Sequence, residues 1–201
     1  MNYEINLDDI QEYNTHKSQL NPGKAALLVI EMQETFRSDS QMISNKQISN
    51  VQSLIDFANL KKIKTIYVRH NDSSDTSQHM IDWWGGDKLE KGSAGWQIIP
   101  ELDTTNQLII DKSQYSAFCG TDLDQILKSN HITDVIICGV MTNCCCETAA
   151  RDAFMRGYNV FFINDATGTI NKELHMAAIK NLAFGFAQVI NTQDLVSQND
   201  I

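Results

Sequence analysis

The sequence has few prolines, few basic residues and no long hydrophobic run. Its 2 prolines and 10 glycines in 201 residues, with 42% hydrophobic residues, are ordinary for a globular protein with one sizeable core. Acidic residues outnumber basic ones by 25 to 16, the formal net charge is -9, and no basic cluster exceeds Lys61, Lys62 and Lys64. Because nucleic-acid binding needs a basic surface, we expect no nucleic-acid partner.

Membrane and secretory signals are also missing from the sequence. The longest wholly apolar run, Ala25 to Ile30, is too short to cross a bilayer, and the polar amino terminus has no apolar signal segment. The 5 cysteines are an odd number, three of them are adjacent, and their spacing fits neither a disulfide framework nor a CxxC pair. We therefore expect a cytoplasmic protein with reduced thiols and no membrane partner.

Short apolar runs alternate with helical patterns through most of the chain. Residues 1–23 are polar and are interpreted as an arm that lies on the body or on a neighbouring subunit, residues 24–196 form the domain, and residues 197–201 are a tail. The alternation predicts a three-layer α/β/α sandwich with a mainly parallel sheet of about six strands. Strands are predicted at 25–30, 64–69, 107–111, 135–138, 159–163 and 188–190, and helices at 51–60, 121–128 and 172–184, besides the helix described next.

Three consecutive cysteines open a predicted helix. After an apolar strand that Gly139 breaks, Thr142 or Asn143 is the candidate N-cap and Gly157 marks the helix end. The first turn of a helix favours a thiolate, so a cysteine there is a candidate nucleophile, although cysteines can also fill such a joint as small apolar groups. Helical periodicity places Cys146 against the sheet and Cys145 on the rim, which favours Cys145 without deciding the matter.

Three reactive side chains follow different predicted strands. Glu31 comes after the first strand, Lys112 after the third and Cys145 after the fourth. In an open parallel sheet the ligand site lies beyond the carboxyl ends of the strands, so these three residues can meet there. A carboxylate can take the thiol proton and an ammonium can hold both anions, which together favour attack by sulfur on a carbonyl carbon.

The region from His70 to Pro100 lacks a clear periodicity. Stretches of this length inside a compact domain are usually functional or part of a subunit contact. Its three tryptophans, Trp83, Trp84 and Trp96, either line a pocket or anchor the loop to the core. Residue types in this region do not define a shape, so the sequence leaves the identity of the substrate open.

From Lys24 to Val196 the chain resembles the isochorismatase-like superfamily of cysteine hydrolases. This superfamily includes nicotinamidases, N-carbamoylsarcosine and ureidoacrylate amidohydrolases, and isochorismatase itself. The resemblance is carried by the segments LLVIEMQETF, DKSQYSAFCGTDL, GVMTNCCCETAARDAFMRGY and FFINDATGT. It implies an isochorismatase-like, Rossmann-like fold, a small-molecule substrate, no cofactor, and a homo-oligomer, either a dimer or a tetramer.

The resemblance also assigns site residues. The family's Asp-Lys-Cys triad falls on Glu31, Lys112 and Cys145, since the nucleophile follows the Thr of the G-V-x-T stretch by three positions. It implies a cis peptide between Val140 and Met141, with the amides of Met141 and Cys145 as an oxyanion hole. Gln33 and Phe36 correspond to residues that approach the substrate or support the triad in relatives. The other residues assigned here to substrate binding are Trp83, Trp84, Tyr115 and Thr142.

Two departures from the family pattern bear on function. Glu31 stands where the family has an aspartate, and its extra methylene changes the reach of the base. The nicotinamidase metal motif, Asp-x-His with a further His, is not reproduced, because His70 precedes Asp72 and His79 alone does not complete it. We therefore expect no zinc or iron. The remaining histidines, His16, His131 and His175, are expected on the surface.

Three functions are compatible with these patterns. The leading hypothesis is hydrolysis of a C–N bond in a small amide or ureide through a thioester on Cys145. The second is hydrolysis of an isochorismate-type vinyl ether, which the segment between Trp83 and Trp96 and the GWQIIPEL segment resemble, although isochorismatases proper lack the nucleophilic cysteine. The third is a catalytically silent ligand-binding protein, for which the change to Glu31 is the only sign.

Overall fold

Six short runs rich in branched and aromatic residues pair side by side as parallel strands. The computed structural model describes residues 5–38 and 42–197. The strands are β1 (Ala25–Ile30), β2 (Lys64–His70), β3 (Leu108–Lys112), β4 (Asp134–Val140), β5 (Asn159–Gly168) and β6 (Gln188–Ile190). Their order in the sheet is β3-β2-β1-β4-β5-β6, and every neighbouring pair is parallel. The winding therefore changes direction between β1 and β4.

Helices cover both faces of this sheet, as the sequence predicts. The described helices are α1 (Glu34–Ser38), α2 (Asn45–Lys61), α3 (Gln78–Trp84), α4 (Leu123–Ser129), α5 (Glu147–Met155), α6 (Lys172–Gly185) and α7 (Thr192–Val196). Apolar residues of α4, α5 and α6 form one core with one face of the sheet. Those of α2 and α7 form a second core with the other face. The three-layer α/β/α architecture is therefore confirmed.

The described part of the amino-terminal arm, residues 5–23, packs against the last strand. The Asn14 side chain donates to the carbonyl of Val189 at 2.7 Å and accepts from its N–H at 3.1 Å. Ile10 is fully buried in the core shared with α4, α5 and α6. The arm thus satisfies polar groups at the edge of β6 that would otherwise face solvent.

The elements differ most from the sequence-based assignment where polar residues interrupt the pattern. Strand β5 extends to Gly168, beyond the predicted end at Ile163, because the pairing with β4 shifts at a bulge and resumes at Thr167. Helix α2 begins at Asn45, and Ser44 caps it by accepting from the N–H of Gln47. The short helices α1, α3 and α7 have no counterpart in the sequence-based assignment. No helix among the described residues has the length and apolar character needed to span a membrane.

Candidate active site

Glu31, Lys112 and Cys145 meet at the carboxyl edge of the sheet. Glu31 directly follows β1, Lys112 is the last residue of β3, and Cys145 lies in a turn of π-helix, Thr142–Cys146, that joins β4 to α5. Because β1 and β4 flank the point where the winding changes direction, their ends border the crevice in which open α/β sheets bind ligands.

The Lys112 ammonium connects the other two groups. Its Nζ donates to Glu31 Oε1, donates to the Gln114 carbonyl at 2.7 Å, and lies 3.6 Å from Cys145 Sγ. The side chains of Lys112 and Glu31 are 0% and 1% exposed. A buried ammonium with three acceptors is satisfied, so this cluster can hold its charges away from water.

Two local backbone features bring these groups together. Gly139 has φ of 118°, and a Cβ at this position would lie 1.9 Å from the Ile30 carbonyl oxygen. Only glycine therefore lets β4 approach the end of β1 this closely. Glu31 itself has φ of 50°, a left-handed conformation that is uncommon outside glycine, and its N–H donates to the Val68 carbonyl. The peptide bond between Val140 and Met141 is cis.

Burial and the neighbouring charges determine the protonation of this cluster. Burial raises the pKa of the Cys145 thiol well above its ordinary value, the charge of Glu31 adds to the increase, and the charge of Lys112 opposes it. Burial disfavours the Lys112 ammonium, but the charges of Cys145 and Glu31 outweigh it and the pKa of Lys112 is raised. Burial thus favours the thiol form of Cys145, next to the ion pair between Glu31 and Lys112. The thiolate expected from the start of a helix is not favoured here.

A cavity of about 320 Å³ opens onto Cys145. Phe36, Trp84 and Tyr115, three of the residues assigned to substrate binding, line this cavity, and the Trp84 indole donates to the Tyr115 hydroxyl at 2.9 Å. The other lining residues are Glu31, Thr35, Met42, His70, Asp72, Met80, Ile81, Gly85, Asp87, Leu89, Met141, Cys144 and Cys145.

Three other residues assigned to substrate binding lie outside the cavity lining. Trp83 is 79% exposed, because its neighbour on the short helix α3 is the one that faces the cavity. Gln33 is buried behind the site, where its amide donates to the carbonyls of His70 and Trp96 and accepts from the His70 N–H. Thr142 is also fully buried. Gln33 and Thr142 therefore pack behind the cavity wall and do not face the cavity.

The third tryptophan of the irregular region anchors the loop. Trp96 is 9% exposed, and the Arg69 guanidinium lies 3.3 Å from its ring centroid. Of the three tryptophans, only Trp84 lines the cavity.

Two histidines have roles that the sequence reasoning missed. His70 lines the cavity, with Nε2 3.0 Å from Asp72 Oδ1 and Nδ1 3.9 Å from Glu31 Oε1. The expectation that His175 lies on the surface is wrong: it is 2% exposed and is hydrogen-bonded to Thr142 and Asn164. Helical spacing could have found it, since His175 shares the buried face of α6 with other residues of that helix, Ala178, Ile179 and Leu182.

The described residues do not form a cluster of metal ligands. Within residues 5–38 and 42–197, no group of three or more His, Cys, Asp or Glu side chains is arranged to hold a metal ion. Two carboxylates of the cavity lining already have partners: Glu31 accepts from Lys112, and Asp72 is hydrogen-bonded to His70.

Known proteins resemble this chain in sequence and in fold. Residues 25–194 match the family model described as "Isochorismatase domain". The chain is 41% identical over 189 residues to nicotinamidase 3 of Arabidopsis thaliana, covering 92% of this chain and 93% of that one. A cysteine hydrolase from Pseudomonas syringae pv. phaseolicola 1448A has the same fold, with a TM-score of 0.84 at 24% identity over 90% of this chain and 95% of that one.

N-carbamoylsarcosine amidase from Thermoplasma acidophilum is also similar, with a TM-score of 0.73 at 25% identity over 84% of this chain and 96% of that one. The family match covers the whole sheet and all three residues that meet at its edge. The chain therefore belongs to the isochorismatase family.

Proposed function

We propose that this chain is a cysteine hydrolase that cleaves the C–N bond of a small amide or ureide through a thioester on Cys145. The observation that carries the proposal is the position of Lys112 Nζ, which donates to Glu31 and lies 3.6 Å from Cys145 Sγ at the floor of the cavity. A nucleophile, a base and a cation that stabilises both are thus in contact. The amidase and nicotinamidase relatives support C–N hydrolysis.

The first half of the reaction acylates the sulfur. Glu31 takes the proton of the Cys145 thiol while the sulfur adds to the substrate carbonyl carbon. Met141 and Cys145, both in the cavity lining, supply the backbone N–H groups for the oxyanion. Glu31 then gives its proton to the departing nitrogen, the C–N bond breaks, and ammonia or an amine leaves a thioester on Cys145.

Water completes the cycle by hydrolysing the thioester. The water oxygen bonds to the acyl carbon, the C–S bond breaks with its electron pair on sulfur, and one water proton ends on that sulfur. The products are a carboxylic acid and the free Cys145 thiol. Lys112 takes no part in the proton transfers, and its contacts with Glu31 Oε1 and the Gln114 carbonyl favour the ammonium form.

The cavity favours a neutral, planar substrate. Phe36, Trp84 and Tyr115 provide aromatic surface, whereas Asp72 and Asp87 add negative charge. No lysine or arginine is among the described residues that line the cavity. A doubly negative vinyl ether such as isochorismate would meet repulsion here, whereas an uncharged aromatic amide would not. Together with the nicotinamidase relative, this makes nicotinamide the first substrate to test.

The test is ammonia release from a panel of amides and ureides, with nicotinamide first and isochorismate as a negative comparison. For the substrate that is turned over, Cys145→Ala should lower kcat on the order of 10⁴-fold or more, because the covalent route is lost. Cys119→Ala is the matched control, since Cys119 is an exposed free thiol outside the cavity lining. Its rate should match that of the unmodified chain.

Turnover by Cys145→Ala at the rate of the unmodified chain would refute the covalent mechanism. Pyruvate release from isochorismate without ammonia release from any amide would refute the substrate class. Iodoacetamide labelling gives a third check. In an active site Glu31 takes the proton as the sulfur reacts, so Cys145 should be alkylated faster than the half-buried Cys144, whose pKa burial raises to about 11. A silent ligand-binding protein predicts no such difference.

We also propose a cytoplasmic homo-oligomer, a dimer or a tetramer, with no nucleic-acid partner. All five cysteines are free, which suits a reducing compartment. Phe154, Met155 and Phe184 are exposed apolar side chains near the ends of α5 and α6, and such surface favours contact with a second copy. Light scattering at several protein concentrations measures the oligomeric state, and a monomer throughout would contradict this part of the proposal.

A further inference from the structure

His70 and Asp72 form a buried pair in the cavity that the thioester chemistry above does not use. The Asp72 carboxylate is fixed, because Oδ1 lies 3.0 Å from His70 Nε2 and Oδ2 accepts from the Leu89 N–H at 2.9 Å. The Asp72 N–H also donates to the Leu89 carbonyl. Asp72 therefore links the end of β2 to the backbone of Leu89, and its carboxylate orients the His70 ring.

The partners of the His70 ring indicate which nitrogen carries the proton. An ionised carboxylate only accepts hydrogen bonds, so Nε2, which contacts Asp72, is the protonated nitrogen. Nδ1 then keeps its lone pair, 3.9 Å from Glu31 Oε1. That distance is too long for a direct hydrogen bond, but it suits two acceptors that share one water molecule.

The His70 backbone is held as firmly as its ring. Gln33 accepts from the His70 N–H at 2.7 Å and donates to its carbonyl at 3.0 Å, and His70 is the register partner of Lys112 across β2 and β3. The ring thus lies beside the lysine that contacts Cys145. Two carboxylates face the ring, those of Glu31 and Asp72. Lys112 is the neighbour of His70 across the strands, and Cys145 lines the same cavity.

We propose that His70, oriented by Asp72, is the base that activates the water that hydrolyses the Cys145 thioester. The water donates one proton to His70 Nδ1 and one hydrogen bond to Glu31 Oε1, which leaves an oxygen lone pair for the acyl carbon. As the new C–O bond forms, Nδ1 takes the first proton. The C–S bond then breaks with its electrons on sulfur, and the imidazolium returns the proton to that sulfur. This inference rests on the proposed function.

The test separates deacylation from acylation, with p-nitrophenyl acetate as the acyl donor and hydroxylamine as a competing nucleophile. In His70→Gln, the first p-nitrophenolate per site should still be released within about threefold of the original rate, whereas the steady rate should fall about 100-fold. The acetyl adduct on Cys145 should then accumulate and be visible by intact mass. Hydroxylamine needs less base assistance than water and should restore most of the steady rate.

Two further variants sharpen the result. Asp72→Asn keeps the imidazole but weakens its orientation, so its steady rate should fall less, about tenfold, again with adduct accumulation. His79→Gln is the matched control, because His79 is exposed and lies outside the cavity lining. Its steady rate should equal that of the unmodified chain.

The outcomes distinguish this step from the covalent route. Acetohydroxamate formation by the unmodified chain, and none by Cys145→Ala, shows that an acyl-enzyme exists. If that holds and His70→Gln either deacylates normally or loses both phases without an adduct, the role of His70 is overturned and the thioester route stands. If the unmodified chain forms no acetohydroxamate, the thioester route fails and the step assigned to His70 fails with it.

Discussion

Two buried histidines lie on different sides of the turn that carries Cys145, and their surroundings differ. We call Glu31, His70, Lys112 and Cys145 the cavity side. His70 lies there between the carboxylates of Asp72 and Glu31. Ionised neighbours make that side suitable for moving protons.

The second group, Thr142, Asn164 and His175, is called here the back side. The Asn164 amide donates to the Ile5 carbonyl and to Asn191 Oδ1, so the network assigns its own oxygen as the acceptor from His175 Nε2. His175 Nδ1 then accepts from the Thr142 hydroxyl at 2.9 Å. Neutral partners keep this imidazole neutral, and burial lowers its pKa to about 4. The role of each buried histidine therefore depends on whether its hydrogen-bond partners are charged or neutral, and not on the residue type.

The largest effect is expected from breaking the charge balance of the cavity side. Lys112→Met leaves the buried Glu31 carboxylate without its ion pair, which should lower the free energy of unfolding by about 3 kcal/mol or more. It should also lower kcat at least about 100-fold, because the cation near sulfur is lost. Urea unfolding and ammonia release measure the two effects.

The control for this variant is Lys128→Met. Lys128 is an exposed lysine whose ion pair with Asp124 lies on the surface of α4. Surface pairs of this kind contribute little, so its stability and kcat should stay close to those of the unmodified chain. If Lys112→Met changed the free energy of unfolding and kcat as little as Lys128→Met does, neither quantity would depend on the ion pair between Lys112 and Glu31.

A smaller effect, mainly on stability, is expected from the back side. His175→Leu leaves the Thr142 hydroxyl and the Asn164 amide oxygen without this partner, which should cost roughly 2–4 kcal/mol of unfolding free energy. The rate per folded molecule should fall about tenfold at most, and no acyl adduct should accumulate. Adduct accumulation, the signature expected for His70→Gln, would contradict the distinction between the two sides.

The pH dependence of stability provides a second measurement on the back side. Since the pKa of His175 is about 4 when folded and 6.5 ordinarily, the unfolded chain binds this proton more tightly. The free energy of unfolding should therefore fall as the pH drops from about 6.5 to 4, by up to roughly 3 kcal/mol from this group. His175→Gln keeps a polar side chain and should lose this part of the pH dependence. Urea titrations at pH 7 and pH 5 test this.

The smallest effect is expected from Trp84, the tryptophan that lines the cavity. Trp84→Phe removes the indole that lines the cavity and donates to Tyr115, so KM should rise about three- to tenfold with little change in stability. Trp83→Phe is the matched comparison on the same helix, and its KM should not change because the side chain is exposed. Equal effects in the two variants would show that the substrate contacts both tryptophans.

The fold was largely predictable because buried strands and amphipathic helices leave a local signal. The runs at Ala25–Ile30 and Gln188–Ile190 coincide with their strands, and the other strands differ mainly at their ends. The errors occur where tertiary contacts override the pattern. Strand β5 continues through a polar bulge because it pairs with β4 both before and after the bulge. Helix α3 has only 7 residues, too few for a clear hydrophobic period.

The site was predictable in part. Strand ends identify Glu31, Lys112 and Cys145, because parallel strands place their carboxyl ends at one edge. The roles of His70 and Asp72 could not be inferred from spacing, because their contacts depend on the region between His70 and Pro100, which has no clear hydrophobic periodicity. The position of Cys145 at a helix start also left out two effects that only the structure shows, since burial and the Glu31 carboxylate both raise the pKa of this thiol.

The sequence by itself determined the alternation of strands with the longer helices along the chain, and the three reactive side chains that follow predicted strands. These features follow from local periodicity and from the chirality of the backbone. The tertiary structure alone decided which tryptophan lines the cavity, which histidine lies between two carboxylates, which one has neutral partners, and that Cys145 is buried. Burial and charge at each site depend on groups that are distant in the chain, and no local pattern encodes them.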